Sequence, residues 1–114
     1  MTNQAVEPDV KSAIEAFVRS IQARYDVDRV VLFGSRARGT HRPDSDIDVA
    51  VILNGDQLPF LETRQAMSVL AQDVQRDTGL SISPLPIWQD EWSGAAHVSD
   101  LPLLDRIRRE GIAV

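Results

Sequence analysis

Asp46 and Asp48 are the residues of this chain best placed to do chemistry. They open a stretch in which Ile47, Val49, Val51 and Leu53 alternate with Asp46, Asp48, Ala50 and Ile52, the period of a strand. Residues two apart on a strand share a face, roughly 6–7 Å from one another. Two carboxylates so spaced can grip one magnesium ion or a closely spaced pair. A bare Asp-x-Asp is most often a solvated strand end. Here the continuation from Val49 to Leu53 is apolar enough to demand deep burial, and two like charges at its start need a cation or solvent to offset their repulsion. Upstream, Gly34-Ser35 closes a second apolar run, Val30-Val31-Leu32-Phe33. At such a turn the backbone can approach a polyphosphate, and N–H groups with the Ser35 hydroxyl can hydrogen-bond its terminal phosphates. Arg36 and Arg38 can pair with a triphosphate, or bridge to Asp44 and its neighbours on an exposed loop. His41 and His97 read as loop surface residues.

Competing motifs fail on spacing. A calcium-binding loop starting at Asp44 needs Gly where Val49 stands and Glu where Gly55 stands. A Walker A loop needs Gly-Lys-Ser/Thr, and Gly39 is followed by Thr40. A Gly-x-Ser-x-Gly elbow is absent.

The elements that must position these residues are legible because all six glycines fall between patterned segments. Residues 8–24 carry Val10, Ile14, Phe17, Val18 and Ile21 at helical spacing, with Pro8 suited to a first turn. A short buried strand over 29–33 follows, then polar loop over 35–45, then the strand over 46–53. A second helix is predicted over 58–78, with Phe60, Met67, Leu70, Ala71 and Val74 as its buried stripe and Gly79 as its stop. Residues 80–88 read as a third extended segment. Its Pro84 and Pro86 cannot donate ladder bonds, so its second half lies at an edge or leaves the sheet. Residues 89–99 read as loop with a helical turn near 90–92, and a last helix over 100–110 precedes a short terminal strand. The order is a mixed α/β plan.

Length and composition exclude several classes. The 114 residues are expected to form a single domain, 1–114. With 43% hydrophobic and 25% charged residues, neither disorder nor a fibrous class is suggested. Zero cysteines exclude a disulfide framework, a thiol nucleophile and a thiolate metal site, and fit a reducing compartment, so a cytoplasmic location is expected. The residues after Met1 have neither a basic start nor an apolar core, so no signal peptide is expected, and no run is long enough for a membrane span. A net charge of −5 argues against direct nucleic-acid binding and against a polymerase fragment.

Taken together, Gly34-Ser35, the continuation Arg36-Ala37-Arg38-Gly39, and Asp44-Ser45-Asp46-Ile47-Asp48 resemble, in order and spacing, the signature of the nucleotidyltransferase superfamily typified by the palm of DNA polymerase β. More narrowly the chain looks like the minimal nucleotidyltransferase group, the small partners of HEPN-domain proteins. The resemblance implies an α/β (α+β) fold with a small mixed sheet and flanking helices. It implies catalysis and Mg²⁺ (or Mn²⁺) binding by Asp46 and Asp48, with a nucleoside triphosphate, ATP being expected, at Gly34, Ser35, Arg36 and Arg38. It further implies an antitoxin role, with NMP, expected to be AMP, transferred to a hydroxyl of a HEPN-domain toxin. The sequence leaves homo-oligomerisation open.

The chain departs from the family at a third carboxylate, implied on the strand after the second helix, which helps bind metal and serves as base toward the acceptor hydroxyl. That strand reads Leu80-Ser81-Ile82-Ser83-Pro84-Leu85, and Asp77, Asp90 and Glu91 are out of register. Ser81 and Ser83 are expected on the site face. An alternative is therefore a catalytically weak or inactive nucleotide-binding antitoxin that neutralises a HEPN ribonuclease by direct contact. Trp88, Trp92 and residues 101–104 are expected either at a partner interface or completing the core.

Overall fold

The computed structural model describes residues 6–98 and 100–114. The chain order is α1 (Pro8–Gln22), β1 (Val27–Phe33), α2 (Ser35–Arg38), β2 (Ile47–Leu53), α3 (Phe60–Thr78), β3 (Ile82–Trp88), α4 (Gln89–Trp92), α5 (Leu101–Glu110) and β4 (Ile112–Ala113). The strands form one sheet in the order β3-β2-β1-β4. β2 pairs antiparallel with β1 and parallel with β3, and β4 pairs antiparallel with β1. A parallel pair needs a crossover, and α3 supplies it between β2 and β3. No helix among the described residues is long and apolar enough to cross a membrane.

Strand alternation sends side chains to two unequal faces. On one, Ile47, Val49, Val51 and Leu53 of β2 join Val30 and Leu32 of β1 under α1 and α3, with Phe17, Ile21 and Met67 fully buried between the layers. On the other, Val31, Ala50, Ile52 and Ile87 are covered by Leu104 and Ile107 of α5, with Trp92 packed alongside. Burial on both faces is what the apolar run of β2 requires.

β3 is an edge strand along its whole length. Pro84 and Pro86 pair with Val49 and Val51, so the prolines stay within the sheet, as an edge permits. α5 is capped by Asp100, whose carboxylate accepts from the Leu103 N–H at 3.1 Å, and it hands over to β4 through Gly111. A Cβ at Gly111 would collide with Val31 and the Ile107 carbonyl, so only glycine allows β4 to close against β1.

Two details differ from the sequence reading, and the tryptophans follow one of its two alternatives. The segment after Gly34, expected to be loop, begins with a single helical turn, α2, too short to leave a hydrophobic period. Phe60 starts α3 and remains 41% exposed, and the buried stripe begins at Thr63 instead. Trp88 is buried in the core, and Trp92 packs on the second cluster beneath the Arg108 guanidinium, 5.3 Å from the ring centre. Among the described residues, the exposed large apolar ones are Leu58, Phe60, Leu61, Val69, Leu101 and Val114.

Candidate functional site

Asp48 is the second residue of β2, directly opposite Phe33 of β1 and beside Ser83 of β3. Asp46 immediately precedes the strand, so alternation puts both acids on the face that α5 covers only further along. Asp46 is exposed and Asp48 half-buried. Burial pushes the Asp48 carboxyl above its usual range, and the Asp46 charge adds to the rise; Arg38 and Arg64 pull it down without cancelling it.

The Gly-Ser turn meets these acids directly. Gly34 has φ +79°, and a Cβ built there would overlap the Asp48 Oδ2 atom. Glycine is therefore required both for a left-handed conformation and for the close approach of a carboxylate. Gly34 ends β1 and precedes α2, where the Ala37 and Arg38 N–H groups donate to its carbonyl, each at 3.1 Å. That ladder leaves the N–H groups of Ser35 and Arg36, the first two of the turn, unused by it.

The four positively charged or polar candidates separate in space. Arg38 is exposed, lies 3.3 Å from Glu110 of α5, and its charge reaches Asp48. Arg36, expected either at the triphosphate or bridging within the loop, is engaged by the loop: its Nε and Nη2 atoms donate to the Ser45 carbonyl at 3.1 and 3.0 Å, and Nη2 also donates to the Pro43 carbonyl at 3.3 Å. Ser83 stands beside Asp48, whereas Ser81 precedes β3 and lines a recess with Ser68, Gln72 and Gln75 of α3. Only Ser83 therefore answers to the expected site face.

The acids that follow β3, Asp90 and Glu91, do not stand at the Ser83 position. Asp90 and Glu91 follow Trp88, which is five residues along β3 from Ser83, about 16 Å at strand rise. They have local duties as well: Asp90 accepts from Gln57 at 3.2 Å, and Glu91 accepts from the Trp88 N–H at 3.0 Å. Among the described residues, no group of three or more His, Cys, Asp or Glu is gathered as a metal site.

Two contributors were not anticipated. Arg64 of α3 acts on Asp48 and lines an apolar cleft of about 440 Å³ with Leu85, Ile87 and Leu103. The signal was a cation at helical spacing between Phe60 and Met67, within the stripe assigned to the core. His41, expected at the surface, is partly buried with Nε2 2.8 Å from Glu7 Oε1, so the loop before β2 is braced against the start of α1. His97 is exposed as expected.

Residues 14–91 match the nucleotidyltransferase domain family, more than half of the chain. Two proteins of Methanocaldococcus jannaschii, both provisionally named protein adenylyltransferases, are 36% identical to it over 59 and 44 residues, which is 52% and 37% of this chain. The matches span 58% and 44% of those relatives, about half their length. Among solved structures, a protein provisionally named a minimal nucleotidyltransferase superposes with a TM-score of 0.54 at 25% identity, covering 96% of this chain and 100% of that one. A chain of a toxin–antitoxin complex solved with AMP-PNP superposes with a TM-score of 0.58 at 22% identity, covering 90% of this chain and 70% of that one, and so shares the fold. With the Gly-Ser turn seated on the second of two acids at the entry to β2 and the family match spanning that whole unit, this chain belongs to the nucleotidyltransferase domain family, as a minimal member of the polymerase β-like superfamily.

Proposed function

We propose that this chain binds a nucleoside triphosphate, ATP in the first instance, with Mg²⁺ or Mn²⁺, and transfers its NMP group to a hydroxyl of a partner protein, a HEPN-domain toxin. The observation that carries this reading is the seating of Gly34 directly against the Asp48 carboxylate, which makes the turn and the two acids one site. Partner and chemistry draw support from the toxin–antitoxin chain solved with AMP-PNP and from the relatives named as adenylyltransferases.

The donor set suits a divalent cation. Two carboxylates share a face, and the raised proton affinity of Asp48, caused by burial and by Asp46, marks a charge that a cation would offset. Two acids from the protein leave the remaining positions to phosphate oxygens and water, the usual habit of magnesium. When bound, the cation supplies charge neutralisation at the phosphates and the pyrophosphate leaving group.

The protein's own residues supply the rest. The Ser35 hydroxyl donates to a phosphate oxygen, and Arg38 adds positive charge beside the acids. The acceptor hydroxyl attacks the α-phosphorus; its oxygen forms the new P–O bond, the bond to pyrophosphate breaks, and the hydroxyl proton passes to solvent. Ser83 can accept a hydrogen bond from that hydroxyl but carries no charge with which to take its proton.

Ser83 beside Asp48 favours a second reading, a nucleotide-binding antitoxin that masks its partner by contact. A transfer assay with ATP labelled at the α-phosphate separates the two. Slow labelling of the partner, rising on Ser83→Asp toward the roughly 10² to 10⁴-fold worth of a general base, supports transfer. A stable complex without label in either protein, under Mg²⁺ or Mn²⁺, assigns the masking role instead.

A further inference from the structure

We propose that Arg36 is a positioning residue that ties the Gly34-Ser35 turn to the strand carrying Asp46 and Asp48, and is not a ligand of the triphosphate. This rests on the reading of Asp46 and Asp48 as the cation-holding pair. The two halves of the site are separated in sequence by the 39–45 loop; the β1–β2 ladder aligns Phe33 with Asp48, but Asp46 lies ahead of β2, beyond that ladder. Arg36 supplies such a contact. Its backbone belongs to α2, one residue after Ser35, while its guanidinium grips the Ser45 carbonyl with two donors and the Pro43 carbonyl with one. The Ser45 carbonyl belongs to the peptide unit that leads into Asp46, so fixing that plane fixes where Asp46 starts.

The guanidinium has little freedom to serve elsewhere. Its side chain is only 5% exposed, and the remaining terminal nitrogen, Nη1, lies 3.9 Å from Glu7 Oε1. The same Glu7 oxygen holds His41. Swinging Arg36 out to a phosphate would strip the Pro43 and Ser45 carbonyls of these donors, a cost that exposed Arg38, a turn-mate with its own reach to Asp48, does not incur. A planar fork is the feature required, because a lysine keeps the charge but cannot give two parallel bonds to one carbonyl.

The sign of the metal response distinguishes positioning from charge. Mn²⁺ alone, without nucleotide, is titrated by electron paramagnetic resonance into the wild type, the Asp46→Ala, Asp48→Ala double variant, Arg36→Lys and Arg36→Met. If Arg36 positions the acids, both arginine variants lose Mn²⁺ affinity by about 10- to 100-fold, as outer-shell partners of metal ligands do. If it acts only as a charge, Arg36→Met binds Mn²⁺ as tightly as the wild type or tighter, and Arg36→Lys is unchanged; either result overturns the proposal. Mn²⁺ binding that is absent in the wild type, or intact in the double aspartate variant, refutes the site itself and the proposal with it. Should the arginine variants fail to fold, the wild type still decides the matter by NMR of its arginine Nε–H groups. On adding Mg²⁺ and ATP the Arg36 signal is expected to stay in place and exchange slowly while that of Arg38 moves, and an Arg36 shift as large as that of Arg38 overturns the proposal.

Discussion

Asp48 is held in a setting that resists its own ionisation. Burial is the larger cause and the neighbouring Asp46 charge the next, so the folded protein takes up the Asp48 proton at a higher pH than the unfolded chain does. The consequence for stability has a definite sign. This group favours folding fully below the ordinary aspartate value near 3.8, and that contribution is lost as pH rises through the raised folded value. At neutral pH the ionised carboxylate is a net liability in the metal-free protein. Asp48→Asn is therefore expected to raise the melting temperature at pH 7, with a gain under about 1 kcal/mol because a part-exposed carboxylate is screened by solvent. The gain should vanish near pH 3, and thermal melts at the two pH values check it. Of these residues the acids and the Gly-Ser turn were legible in the sequence, since a strand period and a glycine stop are local signals. The engagement of Arg36 by Ser45 and the influence of Arg64 on Asp48 were not, because the first depends on how the 39–45 loop folds back and the second on how α3 packs beside β2.

The strand–turn unit from β1 through α2 into β2 sets the geometry of the site, and its weakest tolerance is at Gly34. Gly34→Ala would force a side chain into the left-handed region and into Asp48, at a cost of about 1–3 kcal/mol, and should displace the carboxylate enough to abolish nucleotide binding. Chemical denaturation and a nucleotide titration on one sample measure both effects. Asp100→Ala removes the capping acceptor of α5 and should cost about 0.5–2 kcal/mol while leaving nucleotide binding intact, since Asp100 caps the end of α5 opposite to Glu110, the residue that pairs with Arg38. Helix and strand boundaries followed from glycine and proline punctuation, and the prolines of β3 correctly marked an edge. The one-turn α2 leaves no sequence signal because four residues are too few to display a period, and Phe60, though at the helical spacing of the buried stripe, stays 41% exposed because it sits at the first position of α3.

The molecule buries the central strands of one sheet face beneath α1 and α3 and leaves the other open where Asp46 and Asp48 stand. Phe17 lies at the centre of the covered side with no exposure, so Phe17→Ala should cost about 3–5 kcal/mol, a large share of the stability of a chain this size, readable from a urea transition. The tryptophans that the sequence left between core and interface belong to the core or its margin. A net charge of −5 opposes an anionic ligand, so in the proposed function nucleotide affinity rests on a cation held by the two acids together with the nearby arginines. Isothermal calorimetry of ATP binding, with and without Mg²⁺, to the wild type and to the Asp46→Ala, Asp48→Ala double variant tests that claim most directly. The expected result is binding to the wild type only when Mg²⁺ is present and none to the double variant, whose circular dichroism should match the wild type. Equal affinity in the two proteins would contradict the assignment of the site.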